Sequence, residues 1–410
     1  MTKLFLYDAA EDLERFLPFS LSRPLGELRY GAFLLRERWS ALLDLPVAGS
    51  VNPQPHLADF TDPGAPPVVA GPGEKSEARL LVRSTFAPAA GARLPAEPME
   101  AVRFVDGAGG SRGEGATVGV ALPRRADWRG FADAAKWPAV PIEGKLLAGV
   151  WDLAGDLAAV LPADLERMRS AQPGGAIPRG TTVLGDPALV LAAEAAVEPG
   201  VVFDVRKGPV FLSPGVEVRA GTRLGGPLAV ARDTQLVGGD ISGSAIGPRC
   251  KVRGEVSGSV FLGYANKAHD GFLGSSVVGR WVNLGAGTIT SNLKNTYGPV
   301  RVTLGAARCE TGLTFLGSLI GDHVKTAIGT MLPTGCVIGV GANLFGTRRP
   351  PSEVPAFAWG VDEPGGVLEC GRFVEIAERV MPRRDVAVDD RTRRYLAAVW
   401  GAATRRTPCG

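Results

Sequence analysis

Residues 260–290 read VFLGYANKAHDGFLGSSVVGRWVNLGAGTIT, and a period of six runs through them: Val260, Asn266, Phe272, Val278, Leu284 and Thr290. The same spacing continues upstream through Val210, Val216, Thr222, Leu228 and Thr234. Downstream it passes through Thr314, Ile320, Thr326, Leu332, Ile338 and Leu344. Apolar–glycine pairs punctuate the region, as in Ile246-Gly247, Val278-Gly279, Leu284-Gly285 and Ile338-Gly339. This is a hexapeptide repeat. One apolar residue in six points into a narrow prism, and glycine permits the corner between short flat strands. Three hexads close one coil, and stacked coils bury a continuous core. The expected fold is a left-handed parallel β-helix over residues 173–346, an exception to the usual right-handed crossover. Residues 172–346 hold 32 of the 55 glycines, and a flexible linker would not keep apolar residues in register through three series.

Two stretches break the period. Residues 291–300, SNLKNTYGPV, carry turn residues and read as a loop thrown from one corner; residues 305–313 lose the register again. Loops on a repeat array tend to lie on its binding face. Residues 1–172 read differently, as an α/β domain. KLFLY, ARLLVR, AVRFVD and ATVGVAL look like buried strands, and Ala32–Leu43 and Asp156–Ser170 have helical spacing. Residues 347–410 form a helical tail, with FVEIAERVMPRR and TRRYLAAVW separated by a charged turn. Tyr395 and Trp400 are expected to dock that tail on the prism.

Lys plus Arg number 45 and Asp plus Glu 42, a net charge of +3 that argues against a nucleic-acid partner. An apolar fraction of 45% is enough for a sizeable core. No uncharged apolar run is long enough for a membrane span, and the first residues lack a signal-peptide core, so a cytoplasmic protein is expected. The five cysteines, at 250, 309, 336, 370 and 409, show no CxxC spacing; neither a disulfide framework nor a zinc site is expected, and Cys250, Cys309 and Cys336 read as small core residues. Arg383, Arg384, Arg391, Arg393 and Arg394 read as a solvated helix face.

There are three histidines. His56 lies in a Pro-rich loop, and His323 follows a Gly-Asp corner. His269 sits in a polar cluster with Asn266, Lys267 and Asp270 inside the repeats. A neutral imidazole suits removal of a proton from an attacking amine. Three histidines are needed for a β-helix carbonic anhydrase site, and only His269 and His323 lie in the array.

The stretch 266–292, NKAHDGFLGSSVVGRWVNLGAGTITSN, resembles the acetyltransferase domain of the bifunctional N-acetylglucosamine-1-phosphate uridyltransferase/glucosamine-1-phosphate acetyltransferase family. With LPFSLSRPLGELRYG (17–31), TSNLKNTYG (290–298) and GDHVKTAIGTM (321–331), the whole chain is similar to an alternative bacterial branch of that family, with an N-terminal nucleotidyltransferase-like domain. The resemblance implies that His269 is the base that deprotonates the 2-amino group of glucosamine 1-phosphate for attack on acetyl-CoA. It assigns Asn283 and Asn292 to the sugar, Ala286 to a backbone contact near the thioester, Ile328 and Gly346 to acetyl-CoA, and Arg348 or Arg349 to its phosphates. It also implies a homotrimer with sites between neighbouring prisms.

The pattern departs from the family in places. Phe272 and Leu293 stand where sugar-binding tyrosines are expected, and Gly239 and Ser257 where a phosphate-binding Arg and Lys are expected. Lys251, Arg253, Lys267 or Lys294 are the candidates to replace that charge. In the N-terminal domain the Gly-rich triphosphate loop is replaced by YDAAEDLER (7–15). Arg15 keeps the signature spacing, with Pro18 and Gly31, while Arg23 or Arg29 stands in for the signature lysine. Asp106 is the candidate Mg²⁺ ligand for transfer from UTP. Two alternatives stay open: an acyltransferase acting on an amino-sugar nucleotide, and a non-catalytic trimeric scaffold with a degenerate nucleotidyltransferase domain.

Overall fold

The computed structural model describes residues 2–73, 76–89, 91–92, 101–107, 115–128, 130–171, 177–362 and 365–409. In the N-terminal part, the apolar runs become a seven-stranded sheet. Its order is Ala139–Ile142, Val102–Asp106, Thr117–Leu122, Ala78–Arg83, Thr2–Tyr7, Val47–Val51 and Val68–Val69. All neighbours are parallel except Thr117–Leu122, which runs against both of its partners. The strands are apolar at consecutive positions because both faces are covered. Leu4, Leu6, Leu80 and Val82 pack with Trp39 and Phe86, while Phe5, Leu81 and Val51 pack on the other side.

From residue 182 the chain forms coils whose short strands stack in parallel. One face runs from Thr182–Leu184 through Lys251–Ser257, Asn266–Lys267, Asn283–Leu284, Lys325–Thr326 and Asn343–Leu344 to Ala358–Trp359. A second runs from Val190–Leu191 through Val260–Phe261 and Val277–Val278 to Glu353–Val354. Shorter ladders such as Ala196–Val197 on Glu217–Val218 and Ile289–Thr290 on Met331–Leu332 make the third side. The result is a parallel β-helix with a continuous interior column of Val, Leu, Ile and Phe.

The period of six finds the coils but mis-phases one of them. Val210, Val216, Thr222, Leu228 and Thr234 are all fully buried, as expected. In the next series the interior positions are Phe261, Lys267 and Leu273, one residue beyond Asn266 and Phe272. Coil length is the reason. Val210 pairs with Leu228, 18 residues on, whereas Ala245 pairs with Val260, 15 on, and Val260 with Val277, 17 on. Shortened coils shift the phase, and only stacking on the neighbouring coil resets it.

The second face is apolar outward as well as inward. Its doublets (Val260-Phe261, Val277-Val278, Leu319-Ile320, Val337-Ile338) place one side chain in the prism. The other lies beneath Phe16, Phe19, Leu28, Leu157 and Leu161 of the N-terminal domain. The excursion between Thr290 and Leu319 belongs to the same contact. Residues Arg301–Leu304 and Ala307–Glu310 form an antiparallel hairpin, and Val300, Val302, Leu304 and Leu316 are buried under the N-terminal domain. The hairpin thus clamps the two folds together, whereas residues 291–299 stay partly or fully exposed. Its half-exposed Cys309 is not a core residue, unlike Cys250 and Cys336.

The tail forms helices Cys370–Val380 and Asp390–Thr404 joined by a 3-10 turn. Trp400 Nε1 donates to Leu368 O at 2.7 Å, but Tyr395 donates its hydroxyl to Ser22 O, so the second helix also anchors on the N-terminal domain rather than on the prism alone. Contrary to the sequence expectation, Cys370 and Cys409 form a disulfide, their Cα atoms 5.7 Å apart. Thirty-nine residues separate them in the chain, and the packing of the two helices brings them together. Among the described residues no helix is long and apolar enough to cross a membrane.

Candidate active-site edge

Register brings four of the expected residues to one edge. Asn266, Asn283, Lys325 and Asn343 pair in succession on the first face. Three residues beyond each lie His269, Ala286, Ile328 and Gly346, at equivalent corner positions of successive coils. Backbone bonds hold the column: Gly287 N donates to Asp270 O at 3.1 Å and Gly329 N to Ala286 O at 2.7 Å. Gly271 adopts φ +137° there, and a Cβ on it would collide with Thr288 O, so the corner requires glycine.

His269 is exposed on this corner. Lys267 beneath it occupies the interior position that Val252 fills one coil earlier, and only 3% of it is exposed. Its ammonium turns back and donates to His269 O at 2.6 Å. Lys267 thus holds the backbone of His269, rather than reaching a sugar phosphate. Arg253 is paired with Asp270 at 3.0 Å, which leaves it partly neutralised. Burial pushes the Lys267 ammonium down to about 8, with Asp270 opposing and Arg253 reinforcing the shift. The charged form therefore carries a folding penalty below pH 8 that is relieved as pH rises toward the ordinary lysine value of 10.5. Wild type is expected to gain stability relative to Lys267→Met across that window. Urea unfolding midpoints of the two proteins, measured at intervals of pH, check this; a constant difference would refute it.

The remaining sugar candidates divide into two groups. Phe272 and Asn292 lie together over Gly274, with Asn292 Nδ2 3.4 Å from Ser275 Oγ. Lys294 is tied to its own loop, its ammonium donating to Pro299 O. Asn283 faces elsewhere. Its Oδ1 accepts from Asn266 Nδ2 at 2.7 Å, and both line a cavity of about 360 Å³ with Lys251, Tyr264, Trp281, Lys325, Arg383 and Arg384. His269 does not line that cavity. Arg383 and Arg384, read from sequence as a solvated face, are here a cavity wall, and Arg384 Nε donates to Arg249 O at 3.1 Å. Sequence reasoning missed Tyr264, Trp281 and Lys325 as well. For Lys325 the signal was a repeat of Asn or Lys at one outward position of the first face.

Ile328 is 80% exposed, and Phe345, Ile289 and Met331 around it are also exposed. Gly346 has φ +136° and abuts Asp362, whose carboxylate accepts Thr347 N and Arg348 N; the side chains of Arg348 and Arg349 stay outside. His323 is buried beside Trp281 and Phe373, and burial holds its imidazole well below 6.5, so it is a core residue. His56 bonds Leu21 O at 2.9 Å.

The N-terminal candidates are not brought together. Arg15 donates to Ala148 O at 3.2 Å and lines a cavity facing Arg308 of the hairpin. Arg23 is 2% exposed and fully engaged: Nε and Nη2 on Asp322 at 2.9 and 2.7 Å, Nη1 on Asp62 at 2.8 Å. It is a rivet between domains, not a triphosphate ligand. Arg29 is buried and lines a separate cavity against the prism. Asp106 ends its strand, and among the described residues no cluster of three His, Cys, Asp or Glu could hold a metal.

Residues 4–172 match a family model described as sugar nucleotidyl transferase. The bifunctional sugar-1-phosphate nucleotidylyltransferase/acetyltransferase of Sulfurisphaera tokodaii is 30% identical over 151 residues, 34% of this chain and 36% of that protein. The bifunctional protein GlmU of Methanococcus vannielii is 31% identical over 113 residues, 27% of each chain. That of Chromobacterium violaceum is 25% identical over 222 residues, 47% of this chain and 44% of its own. The chain therefore spans less than half the length of these curated relatives. Residues similar to a sugar nucleotidyl transferase domain are thus followed by a parallel β-helix. In these stretches the chain is similar to GlmU-like bifunctional proteins.

Proposed function

We propose that the chain is an acetyl-CoA-dependent N-acetyltransferase whose acceptor is the 2-amino group of an amino-sugar 1-phosphate, glucosamine 1-phosphate in the first instance. The observation that carries this reading is the corner column of His269, Ala286, Ile328 and Gly346, which the strand register aligns on one edge. In this reading the imidazole of His269 takes a proton from the amine, whose nitrogen attacks the thioester carbonyl of acetyl-CoA. The tetrahedral intermediate collapses with cleavage of the C–S bond, and the imidazolium returns the proton to the leaving thiolate. Ala286, Ile328 and Gly346 would border the pantetheine, with Arg348 toward the CoA phosphates. Exposed Ile289, Ile328 and Met331 support a further part of the proposal, a left-handed prism assembled as a homotrimer whose neighbour covers this edge.

An amino-sugar nucleotide is the competing acceptor. Gly239 and Ser257 leave the expected phosphate position without charge, while Lys251, Lys325, Arg383 and Arg384 gather beside Trp281 and Tyr264 around Asn283. Nucleotidyl transfer from UTP with Mg²⁺ is supported by the likeness of residues 4–172 and not by any gathering of Arg15, Arg23, Arg29 and Asp106. The test is thiol release from acetyl-CoA with glucosamine 1-phosphate and with UDP-glucosamine as acceptors. Release with the sugar phosphate at the higher kcat/KM is expected. Release with the nucleotide alone would reassign the acceptor, and release with neither would remove the proposed reaction.

A further inference from the structure

A cavity of about 580 Å³ lies between residues 29–41 of the N-terminal domain and coil residues 213–248 of the prism, and His269 is not among its lining residues. Its size is that of a small-molecule site. Four guanidinium groups line it: Arg29, Arg36, Arg232 and Arg280. Two of them are neutralised. Arg36 Nε pairs with Glu27 at 2.7 Å and Arg280 Nη1 with Asp62 at 3.2 Å, although Arg280 Nε has no partner. Arg29 is different. It is 7% exposed, its Nη1 donates to the backbone oxygen of Ala32, its Nε is buried without a partner, and no carboxylate lies within ion-pair distance among the described residues. Among the described residues one acid lines the cavity, Glu37, and it accepts Leu34 N at 2.8 Å at the start of its helix. Burial, reinforced by Arg280 and Arg36 and opposed by Glu37, pulls the Arg29 guanidinium below its ordinary value.

A buried cation without a counter-charge is costly, and water alone is a poor substitute for one. Arg232 faces the same space from the prism and is exposed. The rest of the wall is apolar, with Phe33, Met168, Val230 and Ile246. We propose that this cavity binds a small molecule with an oxyanion head, phosphate or carboxylate, seated on Arg29 and Arg232, and an apolar body against Phe33 and Ile246. Guanidinium groups match both heads in bidentate geometry. Because its walls come from both folds, an occupant would tie the N-terminal domain to the prism.

The test uses the full chain at constant ionic strength, with inorganic phosphate, phenyl phosphate and benzoate as probes, read by thermal shift and calorimetry. Phenyl phosphate or benzoate is expected to raise the melting temperature and to bind more tightly than inorganic phosphate; whichever aryl anion binds identifies the head group. Binding should be lost in Arg29→Met and weakened about ten-fold in Arg232→Ala. Arg232 is exposed, so its variant keeps the fold even if Arg29→Met does not. The proposal is overturned if neither aryl anion binds wild type, or if binding survives unchanged in Arg232→Ala. Acetyl transfer in Arg232→Ala should equal wild type, so either outcome leaves the proposed function standing on its own test.

Discussion

Replacing His269 by alanine is expected to lower the turnover of acetyl transfer by about 10²–10⁴-fold, the usual worth of a positioned general base. The acetyl-CoA KM should change little, because in the proposed reaction the imidazole would act on the amine and not on the cofactor. Thermal stability should also be unchanged, since His269 is exposed. The backbone oxygen that Lys267 holds remains in the variant. This separates a chemical role from a structural one: a large loss of turnover with an unchanged melting temperature places the base, whereas retained turnover removes His269 from the reaction. A glutamine at 269 should be as inactive as alanine, because an amide of similar size cannot accept the proton.

The second large effect concerns stability. Arg23→Met is expected to cost about 3–5 kcal/mol at neutral pH, the range for breaking a buried ion pair from one side. Asp322 and Asp62 are themselves almost fully buried, with side-chain exposures of 3% and 6%. Asp322 would keep Ser22 Oγ at 2.7 Å and Arg280 N at 2.7 Å, and Asp62 would keep Arg280, but each would lose its strongest charge-assisted partner. Adding Asp322→Leu to Arg23→Met should recover part of the loss, since two apolar side chains leave no buried charge between them; a double-mutant cycle by urea unfolding measures the coupling. Additive losses would show that Arg23 and Asp322 do not act as a pair. The site joins three parts of the chain, because Ser22 O also accepts the Tyr395 hydroxyl, so loosening of the tail, seen by proteolysis, should accompany the loss.

How much of this was legible beforehand differs by residue. His269, Ala286, Ile328 and Gly346 came from the family resemblance of the repeat stretch, and the strand register sets them at equivalent corners. The role of Arg23 was not legible. Its spacing suggested a phosphate ligand, and only the docking of two folds places Asp322, 299 residues away, against its guanidinium. Arg383 and Arg384 looked like a solvated face for the same reason: the wall they form exists only once the tail lies across Asn283.

The amino-acid sequence by itself determined the parallel β-helix, its coils, and the division from an α/β domain and a helical tail. Those features rest on local periodicity: an apolar residue every sixth position, glycine at corners, consecutive apolar positions in a doubly covered sheet. Tertiary structure alone decided the phase of the shortened coils, which put Lys267 rather than Asn266 inside the prism. It also decided the Cys370–Cys409 bridge, the use of the 301–310 hairpin as a clamp, and the unpaired charge of Arg29 beside a cavity. The physical reason is common to all four. Phase, cross-links, counter-charges and cavities depend on which distant segments meet, and a periodic pattern carries information only about each residue's own coil.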